Sequence, residues 1–414
     1  MKLLLIGSGG REHAIARKLA QNINVTDVYC APGNGGTAIE NKCKNIDIDE
    51  IDDLIKFAKE NNIHFTVVGP EMPLIEGIVD EFKKNNLRIF GPSRTGAMLE
   101  GSKSFSKDFM KKYNIKTAKY EVFYEVKKAL DYLEMQEYPL VIKADGLAAG
   151  KGVYICETLD RARQAIQEIM VDDIFNGAGS KIVIEEFLDG VEASILSVTD
   201  GETILPFISA KDHKQIYDGG KGPNTGGMGV IAPNPYVDEI VKEQFKNDIM
   251  LPTLKGIKEE GFDFIGIIFF GIMITKKGTY LLEYNVRMGD PETQSVLELM
   301  DSDLVDLIDT SLNKELNKFD LRWKDEFCCN VVLASEGYPG KFNKGFEIKF
   351  DKGILNNLYF AGVKEKERIL YTNGGRVLSV VSTAKTLDKA IEMAYENSLK
   401  VDFENKYHRN DIGK

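Results

Sequence analysis

No two cysteines in this sequence stand at the C-x-x-C spacing of a zinc or redox site. The five present, Cys30, Cys43, Cys156, Cys328 and Cys329, are scattered, a usage that fits a reducing compartment rather than a disulfide framework. No apolar run reaches the ~18 residues of a membrane span. Met1-Lys2-Leu3-Leu4-Leu5-Ile6 leads straight into a glycine turn, unlike a signal peptide, so a cytoplasmic protein is expected. Positive charge is also in deficit. Against 64 Asp and Glu there are 53 Lys and Arg, a net charge of −11; this argues against a nucleic-acid backbone as main partner while allowing local basic pockets. Repeats and low-complexity tracts are missing too. What is present, 43% hydrophobic and 28% charged residues, is the texture of a soluble globular chain. At roughly 100–200 residues per domain, its length suggests two to four domains.

The first third alternates strands with helices. Strands are expected over residues 2–6, 27–30, 65–68 and 88–90, and helices over 11–20, 51–61 and 74–85. That alternation predicts a doubly wound parallel sheet, whose ligands bind beyond the carboxyl ends of the strands. Glycine-bearing turns lie there: Gly7-Ser8-Gly9-Gly10, Pro32-Gly33-Asn34-Gly35-Gly36-Thr37, Gly69-Pro70-Glu71 and Gly91-Pro92-Ser93. The first does not complete a dinucleotide fingerprint. Glu12 replaces the third glycine, and the second strand ends in Tyr29-Cys30-Ala31 with no acid for a ribose. A phosphate on the helix N-terminus, met by backbone N–H groups and Arg11, is favoured. Two such turns on neighbouring strands suit a sugar phosphate, although each alone is also compatible with a tight turn and no ligand.

The middle is built differently. After a lysine-rich helix over 103–112, the strand Leu140-Val141-Ile142-Lys143 runs into a loop of small residues, Gly146 to Gly150, then Lys151 and a return strand. Small residues let the backbone approach a triphosphate, and lysines supply positive charge. It is not a Walker loop, because Gly152 stands where Ser or Thr is required. A second strand breaks at Glu185-Glu186-Phe187-Leu188, and Glu192 opens the next. Such a hinge can offer backbone groups to an adenine edge and a carboxylate to a ribose; read alone, the two glutamates are equally a solvated strand end. Further on, Tyr280 to Arg287 alternates like a strand, placing Glu283, Asn285 and Arg287 on one face. The first two are hard oxygen donors suited to Mg²⁺, and the third is a planar fork for carboxylate or phosphoryl oxygens. A polar strand face with an ion pair would look the same in isolation.

In order and rough spacing, Lys143, the small-residue flap, the Glu185 hinge, Glu192 and Glu283-x-Asn285 resemble the ATP-grasp fold. Adding the turns around Gly9, Asn34 and Pro70 and the segment Gly289-Asp290-Pro291-Glu292, the whole chain resembles the phosphoribosylamine–glycine ligase family. The resemblance implies three parts: an α/β domain over 1–101, an ATP-grasp clamp over 102–300 with a flap at about 120–192, and a small α+β domain over 301–414. It implies ATP with Mg²⁺ or Mn²⁺ as cofactors, glycine and 5-phosphoribosylamine as substrates, and action as a monomer. Lys103, Lys143 and the flap (Gly146, Gly150, Lys151) would hold the phosphates. Glu185, Glu186 and Leu188 would frame the adenine, Glu192 the ribose, and Glu283 and Asn285 the metal. Gly9, Gly10, Arg11, Glu12, Asn34, Gly35, Gly36, Thr37, Pro70, Glu71, Gly289 and Pro291 would line the substrate side. Arg287 would bridge the γ-phosphate and the carboxylate, with Asp212 facing the glycine ammonium and Asp290 an amine. One departure stands out. Many relatives carry another acidic metal ligand on the preceding strand, here Ile267-Ile268-Phe269-Phe270-Gly271-Ile272-Met273, so the number of metal ions is left open.

Residues 209–229 read as a long polar, glycine-rich loop without secondary structure of its own, fitting a lid that excludes water from a labile acyl phosphate. His13 and His213 invite a catalytic reading, but the implied chemistry needs no histidine base. Beyond Asp301 a helix over 304–312 precedes short strands expected at 330–334, 346–350, 358–363 and 377–383 and a helix over 387–398. Most of this last part is expected to be scaffold, and Lys364-Glu365-Lys366-Glu367-Arg368 a solvated face.

Overall fold

The first hydrophobic run forms β1 (Lys2–Gly7), buried from Leu3 onward, in a computed structural model that describes residues 1–148 and 151–414. With β2 (Asp27–Pro32), β3 (Cys43–Asn45), β4 (Phe65–Val68) and β5 (Ile89–Pro92) it makes a parallel sheet in the order β3-β2-β1-β4-β5. The order reverses at β1, so the turns after β1 and β4 flank the crevice where a doubly wound sheet takes its ligand. Two local expectations change. The helix expected over 74–85 is two, Glu71–Glu76 and Ile78–Lys84. Gly77 at φ +95 divides them, a left-handed conformation that glycine adopts without a Cβ penalty. The turn at Asn34 enters a short helix, Gly35–Ile39, whose first N–H groups are capped by the Asn34 side chain.

The flap is a separate antiparallel sheet: β6 (Tyr120–Phe123), β7 (Leu140–Ala144), β8 (Val153–Cys156) and β9 (Ile182–Glu186), in the order β6-β9-β7-β8. It has its own core of Ala129, Leu133, Leu140, Ile142, Ala162, Ile166 and Ile184, separate from the larger cores. Gly150, expected in its loop, lies outside the described residues.

The chain then forms β10 (Val191–Thr199), β11 (Ile204–Asp212), β12 (Gln215–Tyr217), β13 (Lys221–Asn224), β14 (Gly229–Ala232), β15 (Phe264–Thr275) and β16 (Gly278–Asn285). The expectation of a structureless loop over 209–229 is therefore corrected. β11 continues through Asp212, and β12 and β13 make a hairpin. Ile216 is buried under it, and Gly219 and Gly220 turn it at φ +72 and +65. The rest gives β17 (Phe327–Ser335), β18 (Lys349–Phe350), β19 (Leu358–Phe360), β20 (Val363–Lys366), β21 (Ile369–Thr372) and β22 (Arg376–Ala384). The strand expected over 346–350 shrinks to two residues, and the solvated face expected at Lys364 to Arg368 is exposed as expected, carried by a hairpin, β20–β21. β5 pairs antiparallel with β15, and the sheet continues β15-β10-β11-β14-β17-β22-β19. One sheet thus runs through all three parts of the chain. No helix among the described residues is long and apolar enough to cross a membrane.

Candidate active site

Between the flap, the β15–β16 hairpin and the Lys103–Lys112 helix lies a cavity of about 640 Å³. Lys143, near the end of β7, puts its Nζ 3.4 Å from the Leu282 carbonyl, next to Glu283, across 139 residues of sequence. The same ammonium is 3.0 Å from Glu185 Oε1, and Lys107 Nζ is 3.2 Å from Glu185 Oε2. Both lysines and the glutamate are buried. Lys107, one turn after Lys103 on the same helix face, was not singled out in the sequence; its i, i+4 spacing from Lys103 was the available signal. Burial, reinforced by Lys143, lowers the Lys107 pKa to about 8 even though Glu185 pulls the other way. Burial also lowers Lys103, whose Nζ reaches the Gly146 carbonyl at 3.5 Å. For Glu185 burial works upward, but Lys143 and Lys107 outweigh it and hold the carboxylate below its ordinary range.

Glu283 stands across the ladder from Gly271. A Cβ at Gly271 would sit 3.3 Å from Glu283 Cγ, so the position that lacks an acid on the preceding strand gives the Glu283 side chain its room. Among the described residues Glu283 has no hydrogen bond or ion pair. Burial opposes its charge, yet Lys214, Lys143, Lys103 and Arg287 keep its pKa lowered. Asn285 Oδ1 accepts one hydrogen bond, from Arg287 Nη2 at 3.1 Å. An ionised carboxylate without a protein partner beside an amide oxygen with a free lone pair fits a hard divalent cation that completes its shell with phosphate and water. No cluster of three or more His, Cys, Asp or Glu among the described residues offers an all-protein alternative.

The hinge after β9 behaves unevenly. Glu186 Oε1 accepts from the Lys119 N–H at 2.9 Å, and Glu185 faces the lysines. Leu188 lines the cavity, and neither its N–H nor its C=O has a protein partner among the described residues. Glu192 pairs with Lys214 at 2.7 Å, which raises the lysine pKa despite burial. Lys151 points elsewhere, to the Pro339 carbonyl at 3.4 Å.

At the other end Arg287 is ringed by acceptors. Its guanidinium lies 2.8 Å from Glu100 and 3.3 Å from Glu71. Glu100 also accepts from the Val286 N–H at 2.8 Å, and its burial raises its pKa in spite of Arg287. Arg11 donates to the Met288 carbonyl at 3.1 Å and to Glu12 at 2.6 Å, while Glu12 takes the Gly9 N–H at 2.5 Å. Asp290 pairs with Arg376 at 2.9 Å and accepts from Gln294 at 2.9 Å. Arg376 comes from β22, in the part expected to be scaffold. It also donates to the carbonyls of Gly226 and Asp290 at 2.5 and 2.7 Å. Among the described residues Asp212 Oδ1 is buried without a partner. Burial and the neighbouring Glu292 push the Asp212 carboxyl well above its ordinary range, and burial raises Glu292 as well.

Arg11, Glu71, Lys103, Lys143, Glu185, Glu186, Leu188, Glu192, Asp212, Glu283, Asn285, Arg287, Gly289 and Asp290 therefore line one cavity. Gly10, Asn34, Gly35, Gly36 and Thr37 do not; they are buried behind it against the C-terminal strands. Gly9 and Pro70 are half-buried at the turns, and Pro291 is buried, its carbonyl accepting from Asn330 at 3.0 Å. Besides Lys107 and Arg376, the sequence reading missed Glu100, Lys214 and Glu292. Glu292 and Lys214 lie inside segments singled out in the sequence, but nothing there marked those two side chains; Glu100 carries no motif and joins the site only through folding.

The sequence matches the phosphoribosylglycinamide synthetase N domain over residues 1–100, the ATP-grasp (A) domain over 101–293 and the C domain over 328–414. It is 59% identical over 414 residues to a phosphoribosylamine–glycine ligase of Clostridium acetobutylicum, covering 100% of both chains. It is 53% identical to one of Fusobacterium nucleatum, over 100% of this chain and 98% of the relative. The crystal structure of phosphoribosylamine–glycine ligase from Thermotoga maritima superposes with a TM-score of 0.89 at 35% identity, covering 100% of each chain. At 14% identity and a TM-score of 0.74, the biotin carboxylase domain of Hydrogenobacter thermophilus 2-oxoglutarate carboxylase, solved with MgADP and bicarbonate, shares the fold over 98% of this chain and 91% of that one. The chain belongs to the phosphoribosylamine–glycine ligase family, carbon–nitrogen ligases of purine biosynthesis built on the ATP-grasp fold.

Proposed function

We propose that this chain joins glycine to 5-phosphoribosylamine in two displacements within the one cavity. In the first, a glycine carboxylate oxygen attacks the γ-phosphorus of ATP. The bond to the β,γ-bridging oxygen breaks, releasing ADP and leaving glycyl phosphate. In the second, the amine nitrogen of phosphoribosylamine attacks the acyl carbon. The acyl C–O bond breaks, phosphate departs, and the nitrogen loses a proton to give glycinamide ribonucleotide. A free carboxylate would have to expel oxide, and phosphorylation removes that obstacle.

The protein contributes position and charge rather than a covalent group. Lys103 and Lys143 contact the phosphates beneath the flap, with Gly146, Gly150 and Lys151 in its loop. The free backbone groups of Leu188, beside Glu186, take the adenine edge, and Glu192 with Lys214 takes the ribose. Glu283 and Asn285 would hold a magnesium or manganese ion, which when bound neutralises charge on the transferred phosphoryl group. Arg287 orients the carboxylate against it. Asp212 and Glu292 form an acidic recess for the glycine ammonium, and Asp290, braced by Arg376, faces the incoming amine. Arg11, Glu71 and Gly9 with the helix N-terminus seat the sugar phosphate. All these residues come from one chain, so we read the working unit as a monomer acting in the cytoplasm. The single observation that carries the reading is the convergence of Lys143 and Glu283 on one cavity. The test is phosphate release from ATP, measured with glycine alone and with glycine plus freshly made phosphoribosylamine. Release that ignores glycine, or that runs equally well with formate or bicarbonate, would end it.

A further inference from the structure

His13 follows directly on the Gly9-Gly10-Arg11-Glu12 turn, is fully buried, and has no part in the chemistry above. Its ring is nevertheless fixed on both sides. The Phe360 backbone N–H donates to Nδ1 at 2.9 Å. The ring proton is therefore on Nε2, 3.2 Å from the Glu40 carboxylate. Burial takes the imidazole down to about 4 although Glu40 works the other way, so the ring is neutral at ordinary pH.

Asn34 holds the other side of the same residue. Its amide nitrogen donates to the Phe360 carbonyl at 2.9 Å and to the Ser8 carbonyl at 2.8 Å. Its oxygen accepts from the N–H groups of Gly36 and Thr37 at 2.7 and 3.0 Å. Both backbone groups of Phe360 are thus gripped by residues of the two N-terminal glycine turns, and one amide ties the turns to each other. The joint has no slack. A Cβ at Gly36 would fall 2.6 Å from His13 Nδ1 and 2.7 Å from Phe360 Cβ.

We propose that His13 is a positioning residue for the sugar phosphate, which together with Asn34 clamps the backbone of Phe360 and so sets the spacing of the two glycine turns from a strand 347 residues away. The inference rests on the placement of the sugar phosphate at those turns. The imidazole serves as a rigid spacer with one acceptor and one donor, and β19, at the edge of the sheet, becomes part of the determinant of substrate affinity. A misplacement of the turns acts chiefly on one substrate, since ATP binds at the far end and glycine is held by Arg287, Asp212 and Glu292, none of which belongs to the two turns.

The test compares full-length H13A, H13Q, H13N and R11A. It measures KM for phosphoribosylamine made in situ, KM for ATP and glycine, Kd for glycinamide ribonucleotide, and the thermal midpoint. Asparagine places an oxygen near the position of Nδ1 and keeps the acceptor for Phe360. Glutamine reaches Glu40 but offers Phe360 nothing. H13A and H13Q are expected to raise the phosphoribosylamine KM and the glycinamide ribonucleotide Kd at least about tenfold, with the other two KM values within about twofold. H13N is expected to recover most of the loss. A uniform rise in all three KM values would reduce His13 to packing, and an unchanged phosphoribosylamine KM would remove the clamp. If H13A does not fold, the H13N and H13Q pair decides alone. R11A separates the levels. A normal phosphoribosylamine KM there removes the sugar phosphate from the turns, whereas a weak R11A beside normal H13A and H13Q removes only the clamp.

Discussion

The two ends of the cavity hold their polar residues in opposite ways. At the nucleotide end several charged side chains are left for the ligand: Glu283 has no protein partner among the described residues, and the ammonium groups of Lys143 and Lys107 share one carboxylate, Glu185, beside neutral oxygens of Leu282 and Thr117. At the sugar-phosphate end they are already used. Asn34 spends both ends of its amide on backbone, Thr37 Oγ1 donates to Asn45 at 2.6 Å, and Glu12 closes on Gly9 and Arg11. A motif residue can therefore be a ligand contact in one place and a joint in the other. Its existing partners, more than its identity, tell the two apart.

The sharpest way to break this contrast is at Glu283. Glu283→Gln should lower turnover by at least about 100-fold, the scale of losing one electrostatic contact to the transferred group. Its thermal midpoint should fall only slightly, because the side chain gives up no hydrogen bond or ion pair, only the longer-range attraction of Lys214, Lys143, Lys103 and Arg287. Near-normal turnover in that variant would count against the metal role. Next in size is Glu185→Gln. It strips the carboxylate that pairs with two buried ammonium groups, and urea unfolding should show a loss of about 3–5 kcal/mol. A loss under about 1 kcal/mol would mean that the triad is more solvated than its burial implies.

The legibility of the sequence follows the same divide. The strand-and-helix alternation over the first hundred residues, the Lys143 strand and the Glu283-x-Asn285 pair are all local patterns, and the doubly wound sheet and the flap follow from them. What pairing creates was not legible. Nothing in β5 or β15 says that they meet at Pro92 and Phe264 and fuse two sheets into one. Nothing in the Arg376 strand says that it crosses to Asp290. The polar stretch at 209–229 hid a hairpin because what holds it down is one buried side chain, Ile216, and hydrogen bonds from the far end of the chain. Arg409 donates to the Gln215 carbonyl and Tyr407 to the Ile216 carbonyl. Asn34 was placed among the substrate residues by its motif, while its hydrogen bonds commit it to the protein.

Arg376 sharpens the comparison from the C-terminal side. Arg376→Met keeps the length of the stem while removing the bonds to Asp290 and Gly226. The KM for glycine or phosphoribosylamine should rise by about tenfold, with that for ATP unchanged. An unchanged KM for both would return the C-terminal part to scaffold.

The smallest effect is the most diagnostic, because its sign runs against loss of contact. Burial, then Glu292, hold the Asp212 carboxyl above its ordinary pKa. The folded chain therefore binds that proton more tightly than the unfolded chain does. Stability contributed by the proton is present below the unfolded value, near 4. It is lost as pH rises through the elevated folded value, since folding there takes up a proton that solution no longer supplies cheaply. Asp212→Asn removes the cost of a buried carboxylate beside Glu292. Its thermal midpoint should exceed that of the parent by roughly 1–3 °C at pH 8, and the gap should close on acidification toward pH 4. The glycine KM should rise in the same variant, because the recess loses the carboxyl group that receives the ammonium. A residue kept at the expense of stability and needed for substrate is a ligand contact in waiting. An Asp212→Asn variant that is less stable than the parent at pH 8 would instead place Asp212 with Asn34, among the joints.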